Sequence, residues 1–123
     1  MTNPRALGAA GERLAAAHLE AKGYRVEARN VRLPEGEIDI VASDGHTRAI
    51  VEVRARRGTA LGDGLDSVNE RKAARLRQLA EAYAASTGYV GDLRIDVIAV
   101  DVATDGRLLG LRHLENAVEG DPA

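Results

Sequence analysis

Two short apolar strands around a tight turn are the feature that most constrains the fold of this chain. The stretch GEIDIVASDGHTRAIVEVRARR, Gly36 to Arg57, contains an Asp-Gly pair within Ser43 to Thr47, and such a pair between alternating apolar residues is typical of a β-hairpin. Each strand nevertheless carries a carboxylate, Asp39 in the first and Glu52 in the second. A charged side chain is unfavourable in a sheet that packs on an apolar core. The hairpin therefore predicts both a sheet and a charged site on it.

The two acids are expected on the same face of the hairpin. Side chains alternate between faces along a strand, so any register that keeps the apolar positions together on one face places Asp39 and Glu52 together on the other. The apolar positions on the first face are Ile38, Ile40, Val51 and Val53. One such register pairs Asp39 with Glu52, Val41 with Ile50, and Glu37 with Arg54.

Two neighbouring carboxylates require a neutralising partner. At about 5 Å they repel by roughly 3 kcal/mol at an effective dielectric constant of 20, whereas a good cross-strand pair contributes only about 0.2–1 kcal/mol. A shared proton, an arginine or a divalent cation would each neutralise them. Arg54 is the candidate arginine, and Glu37 is expected to be its partner, with the role of a further ligand as the alternative. Mg²⁺ or Mn²⁺ favours an oxygen cage that an Asp and a Glu on adjacent strands begin to form.

The remaining pattern predicts helices and further strands. Apolar residues at three- and four-residue intervals predict a helix from about Arg5 to Lys22, with Glu12 at the rim of its buried face. The other expected elements are a strand from Tyr24 to Arg32, a mobile loop from Ala55 to Gly64, a helix from Asp66 or Ser67 to about Thr87, and strands over Leu93–Val102 and Leu108–Leu114. The order α-β-β-β-α-β-β predicts an α/β fold with a mixed central sheet flanked by helices.

One lysine occupies an unusual place in the second helix. The apolar stripe of that helix contains Val68, Leu76, Leu79 and Tyr83, and Lys72 lies in its centre, about 40° from Val68 and from Leu76. An ammonium group on the inward side of a helix is either a snorkelling side chain or a partner for buried acids. Both interpretations remain open from the sequence.

Composition limits the classes of function. A chain of 123 residues is the size of one domain, and we expect residues 1–118 to form it, with 119–123 as a disordered tail. The absence of cysteine excludes disulfides and thiolate zinc sites, and no apolar run reaches the roughly 20 residues of a membrane-spanning helix, so we expect a soluble cytoplasmic protein. The net charge of −2 argues against a nucleic-acid binder, although arginines cluster in the middle of the chain. The absence of Phe and Trp argues against base stacking as the mode of recognition.

The acids and their spacing resemble a known nuclease pattern. An acid on one strand followed by Glu-x-Lys on the next is the motif of the PD-(D/E)xK nuclease superfamily, and here it corresponds to Asp39 and Glu52-Val53-Arg54. A longer ordered set resembles the YraN family of small bacterial proteins, which is mostly uncharacterised and similar to archaeal Holliday junction resolvases. That set comprises Gly11-Glu12, Gly23-Tyr24, Asn30, Gly36-Glu37-Ile38-Asp39, Val51-Glu52-Val53, Lys72, Arg94-x-Asp96 and His113-x-x-Asn116, and the resemblance extends from about Leu7 to Val118.

The resemblance implies a restriction-endonuclease-like fold with a magnesium or manganese site. The implied ligands are Glu12, Asp39, Glu52 and the carbonyl of Val53. The superfamily lysine is replaced by Arg54, which stays protonated and so acts as a phosphate clamp and not as a general base. Either the cation activates water without a lysine, or Lys72 brings the ammonium to the acids.

Together with the acid pair, the resemblance implies a metal-dependent endonuclease acting on branched or structured DNA through backbone contacts. The residues expected on phosphates are Arg56, Arg57, Arg71 and Arg75. A homodimer is implied if the likeness to resolvases extends to two symmetric cuts. The alternatives are a nucleic-acid-binding module that has lost the chemistry and a nuclease that processes RNA. Arg94 and Asp96 are expected to form a structural pair, and His113 and Asn116 are also interpreted as structural because no second ligand at zinc spacing accompanies them.

Overall fold

The computed structural model describes residues 4–58 and 70–118 as one mixed sheet with a helix on each face. In chain order the elements are α1 (Pro4–Ala21), β1 (Arg25–Leu33), β2 (Gly36–Ser43), β3 (Thr47–Arg57), α2 (Glu70–Thr87), β4 (Asp92–Val102) and β5 (Leu108–Leu114). This confirms the predicted α/β class and the order α-β-β-β-α-β-β. The expected start of the second helix at Asp66 or Ser67 and the expected tail at 119–123 lie outside the described residues.

The five strands follow the chain across the sheet, in the order β1-β2-β3-β4-β5. The pairs β1/β2, β2/β3 and β4/β5 are antiparallel, while β3 and β4 are parallel because α2 lies in the connection between them. The pair β3/β4 extends from Thr47↔Asp92 to Arg57↔Val102. The expectation that residues 55–57 belong to a loop is therefore wrong, since pairing with β4 continues β3 to Arg57.

Helix α1 packs closely on β3 because one position in its buried face has no side chain. A Cβ atom at Gly11 would lie 2.5 Å from the Cβ of Ala55 and 3.7 Å from Val53 Cγ1. With the buried alanines at positions 10, 15 and 16 of the same helix, this glycine lets the helix axis approach the sheet. The packed cluster beneath α1 includes Leu19, Ile40, Val51, Ile98 and Val100.

Helix α2 covers the opposite face through a second apolar cluster. Leu76, Leu79 and Tyr83 of α2 pack there against residues of four strands, which include Ile38, Val41, Ile50 and Ile95. Ile40, Val51 and Val53 share one face as predicted, the face toward α1, but the expectation that Ile38 joins them is wrong, because Ile38 lies on the α2 side. The strict alternation of β2 is thus broken between Ile38 and Ile40, and the residue at the break is Asp39.

Two asparagines adopt the left-handed backbone conformation that most residues avoid. Asn30 has a φ of 53° and Asn116 a φ of 52°. Asparagine is the non-glycine residue that tolerates this region best, which gives a conformational reason for its presence at both positions. Neither requires a role in chemistry.

Candidate acidic site between β2 and β3

The predicted hairpin register is confirmed up to the rung before the acids. Ser43↔Arg48, Ala42↔Ala49, Val41↔Ile50 and Ile40↔Val51 are paired, and the next rung would join Asp39 to Glu52. The pairing ends there. Strands β2 and β3 therefore separate at the position of the two carboxylates, although each strand continues.

Asp39 fills the gap that the separation leaves. Its Oδ2 accepts a hydrogen bond of 2.8 Å from the backbone N–H of Val53, the group that would otherwise continue the ladder. The N–H and the carbonyl of one strand residue point to the same neighbouring strand, so the Val53 carbonyl is directed toward this gap as well. Asp39 consequently points across the gap, between the two faces, and this orientation explains the break in alternation at Ile38.

Glu12 reaches the gap from the α1 side. Asp39 and Glu12 line one cavity of about 280 Å³, together with Val53, Ala55 and residues of the first turns of α1. Because Gly11 brings α1 against Ala55, the next residue of the helix is carried to the edge of the gap. The sequence placed Glu12 at the rim of the buried face, and the structure places that rim beside Asp39.

Glu52 approaches the gap from the α2 side. It lines a narrow cleft with Asp39, Glu37 and Leu79, and its Oε2 lies 2.8 Å from the Nζ of Lys72, which belongs to the first turn of α2. The lysine on the inward stripe is therefore a partner for a strand carboxylate and not a snorkelling side chain. Glu37, expected to pair with Arg54, forms an ion pair of 3.4 Å with Arg32 of β1, which faces it in the ladder.

The surroundings of Asp39 disfavour its charged form. Burial raises the pKa of Asp39 from its ordinary 3.8 to about 6; the Val53 hydrogen bond opposes this rise, and the negative charges of Glu52, Glu12 and Glu37 add to it. The carboxylate cluster expected from the sequence thus exists as an electrostatic unit. A positive charge delivered to the gap would relieve the strain on Asp39.

The oxygen donors at the gap are of the type that magnesium and manganese prefer, since carboxylates and a carbonyl are hard ligands. Within residues 4–58 and 70–118, however, no three acidic or histidine side chains lie close enough together to bind one cation. The donor types of Glu12, Asp39, Glu52 and Val53 fit the predicted ligand set. Their present arrangement does not bring all four donors to one point, because Glu52 is directed to Lys72.

Two of the predicted cationic residues, Arg54 and Arg56, share the α2 face of β3 with Glu52, because the alternate residues Val51 and Val53 face α1. Arg54 lies two residues after Glu52 on β3, so strand alternation places it on the same face, and it is half-buried. Arg56 and Arg57 continue the strand beside Asp101 and Val102 of β4. Arg71 and Arg75 are exposed and one turn apart at the start of α2.

A separate buried polar network lies at the other end of α1. Asp96 is fully buried, and its carboxylate accepts a bidentate pair of hydrogen bonds from Arg94, at 2.8 and 3.0 Å, and one of 2.9 Å from the N–H of Asn116. His113 Nε2 lies 2.8 Å from Asp96, and its Nδ1 lies 3.0 Å from the ammonium of Lys22.

This network confirms the expectation that Arg94 and Asp96 form a structural pair. Burial raises the pKa of Asp96, but hydrogen bonds from His113, Arg94 and Asn116 outweigh it, and the net pKa is below the usual value. Because Lys22 follows the last residue of α1, the network fixes that end of the helix on β4 and β5. The sequence indicated the pair at Arg94 and Asp96, but it did not reveal that Lys22 and His113 join it across 91 residues.

Comparisons with known proteins agree with the earlier resemblance. Residues 11–100 match the model of the uncharacterised protein family UPF0102. A UPF0102 protein of Pelotomaculum thermopropionicum is 46% identical over 112 residues, which cover 90% of this chain and 93% of the relative. A UPF0102 protein of Symbiobacterium thermophilum is 45% identical over 92% of this chain and 96% of its own length. One of Acidothermus cellulolyticus is 56% identical over 78 residues, which cover 63% of this chain and 59% of the relative.

Neither helix that the structure describes, in residues 4–58 and 70–118, is long and apolar enough to cross a lipid bilayer.

Proposed function

This chain belongs to the uncharacterised protein family UPF0102. From the acidic gap, and from the resemblance of Asp39 and Glu52-Val53-Arg54 to the PD-(D/E)xK motif, we propose that it is a divalent-cation-dependent endonuclease acting on branched or structured DNA. The observation that carries the proposal is Asp39, which points into the opened ladder between Glu12 and Glu52 and has its pKa raised to about 6. A strand carboxylate kept in such surroundings destabilises the fold unless a cation joins it. A loss of stability of this kind is expected at a functional site.

In the proposed site, Glu12, Asp39, Glu52 and the Val53 carbonyl hold Mg²⁺ or Mn²⁺. When bound, the cation neutralises phosphate charge and lowers the pKa of water. The protein's own residues then position the phosphodiester: Arg54, permanently protonated, clamps a non-bridging oxygen with paired hydrogen bonds, and Lys72 supplies a second positive charge from α2. Because Arg54 cannot accept a proton, no proton transfer is assigned to it.

Contacts along the DNA backbone complete the proposal. Arg56 and Arg57 at the end of β3 and Arg71 and Arg75 on α2 are placed on phosphates, which set position and carry no base information. With three tyrosines as its aromatic residues, the chain lacks a platform for stacked bases. Recognition by backbone shape suits a branched duplex, and two symmetric cuts would require a homodimer with one site in each protomer.

The test is cleavage of a labelled four-way DNA junction by the purified protein in Mg²⁺ or Mn²⁺, with a linear duplex and a structured RNA of matched length as competing substrates. We expect nicks in the junction, and we expect Asp39→Asn and Glu52→Gln to abolish them. Arg77→Met, which changes the charge of α2 on another side of the helix, is the matched control and should cleave normally. Cleavage that survives both acid substitutions would show that these carboxylates are not the ligands.

A second candidate function is supported by the ion pair between Lys72 and Glu52. If that pair is permanent, the fold is a binding module that has lost the chemistry. Calorimetry separates the two, because a module of this kind would bind the junction without taking up Mg²⁺ or Mn²⁺. Preference for the RNA competitor in the cleavage assay would instead indicate a nuclease that processes RNA.

A further inference from the structure

The ion pair between Lys72 and Glu52 differs from the surface pairs of this protein. The Nζ to Oε2 distance is 2.8 Å, and the side chain of Glu52 is only 12% exposed, whereas the pair from Arg107 to Asp105 spans 3.9 Å between side chains that are 71% and 63% exposed. Lys72 reaches Glu52 from the first turn of α2, across the packed face of the sheet. The side chain of Lys72 is 30% exposed, so the pair is short and partly buried, and it fixes the direction in which Glu52 points.

The direction of Glu52 explains why the acids do not form a closed ligand set. Asp39 and Glu12 already line a common cavity, and Val53 borders it. Glu52 lies next to Asp39 but is held on the other side by Lys72. Within the described residues, rotation of this one side chain away from the lysine is the step that would bring a third carboxylate to the cavity.

An ammonium and a divalent cation compete at this carboxylate. Each is attracted by the same negative charge, their own charges repel in a partly desolvated cleft, and Lys72 holds Glu52 away from the cavity that Asp39 and Glu12 line. We infer that Lys72 is a built-in counter-ion that competes with the divalent cation for Glu52, so that cation uptake displaces the lysine from the carboxylate. This inference rests on the proposed function and concerns the regulation of the same site.

Displacement has a consequence for the order of events at the site. In the resting protein Lys72 neutralises Glu52, while Asp39 remains the strained carboxylate. Once the cation takes Glu52, the released ammonium is at the α2 side of the gap, beside Arg54, where a phosphate would enter. Lys72 therefore becomes available to substrate only after the cation site is filled, and the protein does not present its full positive charge to DNA before then.

The first test measures cation affinity by titration calorimetry with Mn²⁺ and Mg²⁺ at pH 8, where Asp39 is ionised. Lys72→Met keeps the aliphatic length of the side chain and removes the competing charge, so it should bind the cation about fivefold more tightly or better, the factor equivalent to one partly exposed ion pair. Lys72→Arg keeps the competition and should bind like the wild type. Arg77→Met, on the same helix and loosely paired with Glu70 at 3.9 Å, should also leave the affinity unchanged.

The second test follows the lysine itself. The chain contains two lysines, Lys22 and Lys72, so lysine labelled with ¹³C at the ε carbon gives two signals. Lys22, held by Glu115 and His113 at the far end of α1, is an internal control. Addition of Mg²⁺ should shift the Lys72 signal toward that of a solvated ammonium and leave the Lys22 signal in place.

The outcomes separate this inference from the proposed function. Equal or weaker cation binding by Lys72→Met, or a Lys72 signal that stays in place while the wild type binds Mg²⁺ and cleaves DNA, overturns the competition alone. Absence of cation binding in both the wild type and Lys72→Met overturns the competition and the proposed nuclease together. Circular dichroism of Lys72→Met shows that the fold is intact before either measurement.

Discussion

The most informative single substitution is Asp39→Asn, because the structure predicts that it raises stability while it removes the proposed function. The rise of the Asp39 pKa from 3.8 to about 6 means that the folded protein disfavours the ionised form. At about 1.4 kcal/mol per pKa unit the cost is near 3 kcal/mol, and since Asp39 keeps some contact with water we take about 2 kcal/mol. Asparagine removes the charge and keeps an oxygen that can accept the Val53 hydrogen bond.

The sign of the pH dependence follows from proton linkage. Between pH 4 and pH 6 the folded wild type retains a proton on Asp39 that the unfolded chain has lost, so the stability of the wild type decreases as the pH rises through this range. The free energy of unfolding of Asp39→Asn should therefore exceed that of the wild type by about 2 kcal/mol at pH 8, and by about one-third of that at pH 4.5.

Urea unfolding followed by circular dichroism at the two pH values measures this difference in a chain small enough for two-state analysis. Asp92→Asn, which removes an exposed carboxylate at the start of β4, is the control and should change stability by less than about 0.5 kcal/mol at either pH. A wild type that is more stable than Asp39→Asn at pH 8, or a gain that does not depend on pH, would refute the reasoning.

Other predictions concern the packing of α1 and the polar network. Gly11→Ala places a Cβ atom against Ala55 and should lower the free energy of unfolding by about 1–3 kcal/mol. Gly8→Ala, in the same helix with open space around it, should raise the free energy of unfolding by about 0.5–1 kcal/mol. Thermal melts of the two variants test this contrast. Asp96→Ala should lower the free energy of unfolding by about 3–5 kcal/mol because it removes the buried carboxylate that pairs with Arg94 and His113, and urea titration measures the loss. The pKa of Asp96 is depressed in the folded protein. The stabilisation that its carboxylate provides is therefore complete above the unfolded pKa and is lost as the pH falls through the folded pKa. The free energies of unfolding of the wild type and of Asp96→Asn, followed in acid titrations, should converge well below pH 4.

Much of the fold was predictable because its signals are local. The Asp-Gly turn predicted the hairpin, and Val41↔Ile50 is paired as in the register considered from the sequence. The helical stripe placed Lys72 inward, and it lies against an acid. The two-residue strand period predicted the wrong face for Ile38. The reason is that the Val53 N–H is bonded to the side chain of Asp39 and not to the backbone of β2, and a periodic pattern carries no information on such a contact.

The rest depended on contacts between distant parts of the chain. The extension of β3 to Arg57 comes from pairing with β4, and residues 55–57 alone have the composition of a loop. The apolar spacing of α1 did not explain the glycine at position 11, because the reason for it is the close approach of Ala55 from β3. The direction of Glu52 could not be derived from the hairpin, because α2 sets it.

The parallel pairing of β3 with β4 has a consequence for folding kinetics. Each residue of β3 pairs with a partner 45 positions later in the chain, from Thr47↔Asp92 to Arg57↔Val102, so the loop between them must close before any of these contacts is gained. Long-range parallel pairing of this kind slows folding relative to local hairpins. During synthesis the β2–β3 hairpin with both acids emerges before β4, the strand that pairs with β3 on its other side at Glu52. The acidic gap is therefore completed late, only after β4 has left the ribosome.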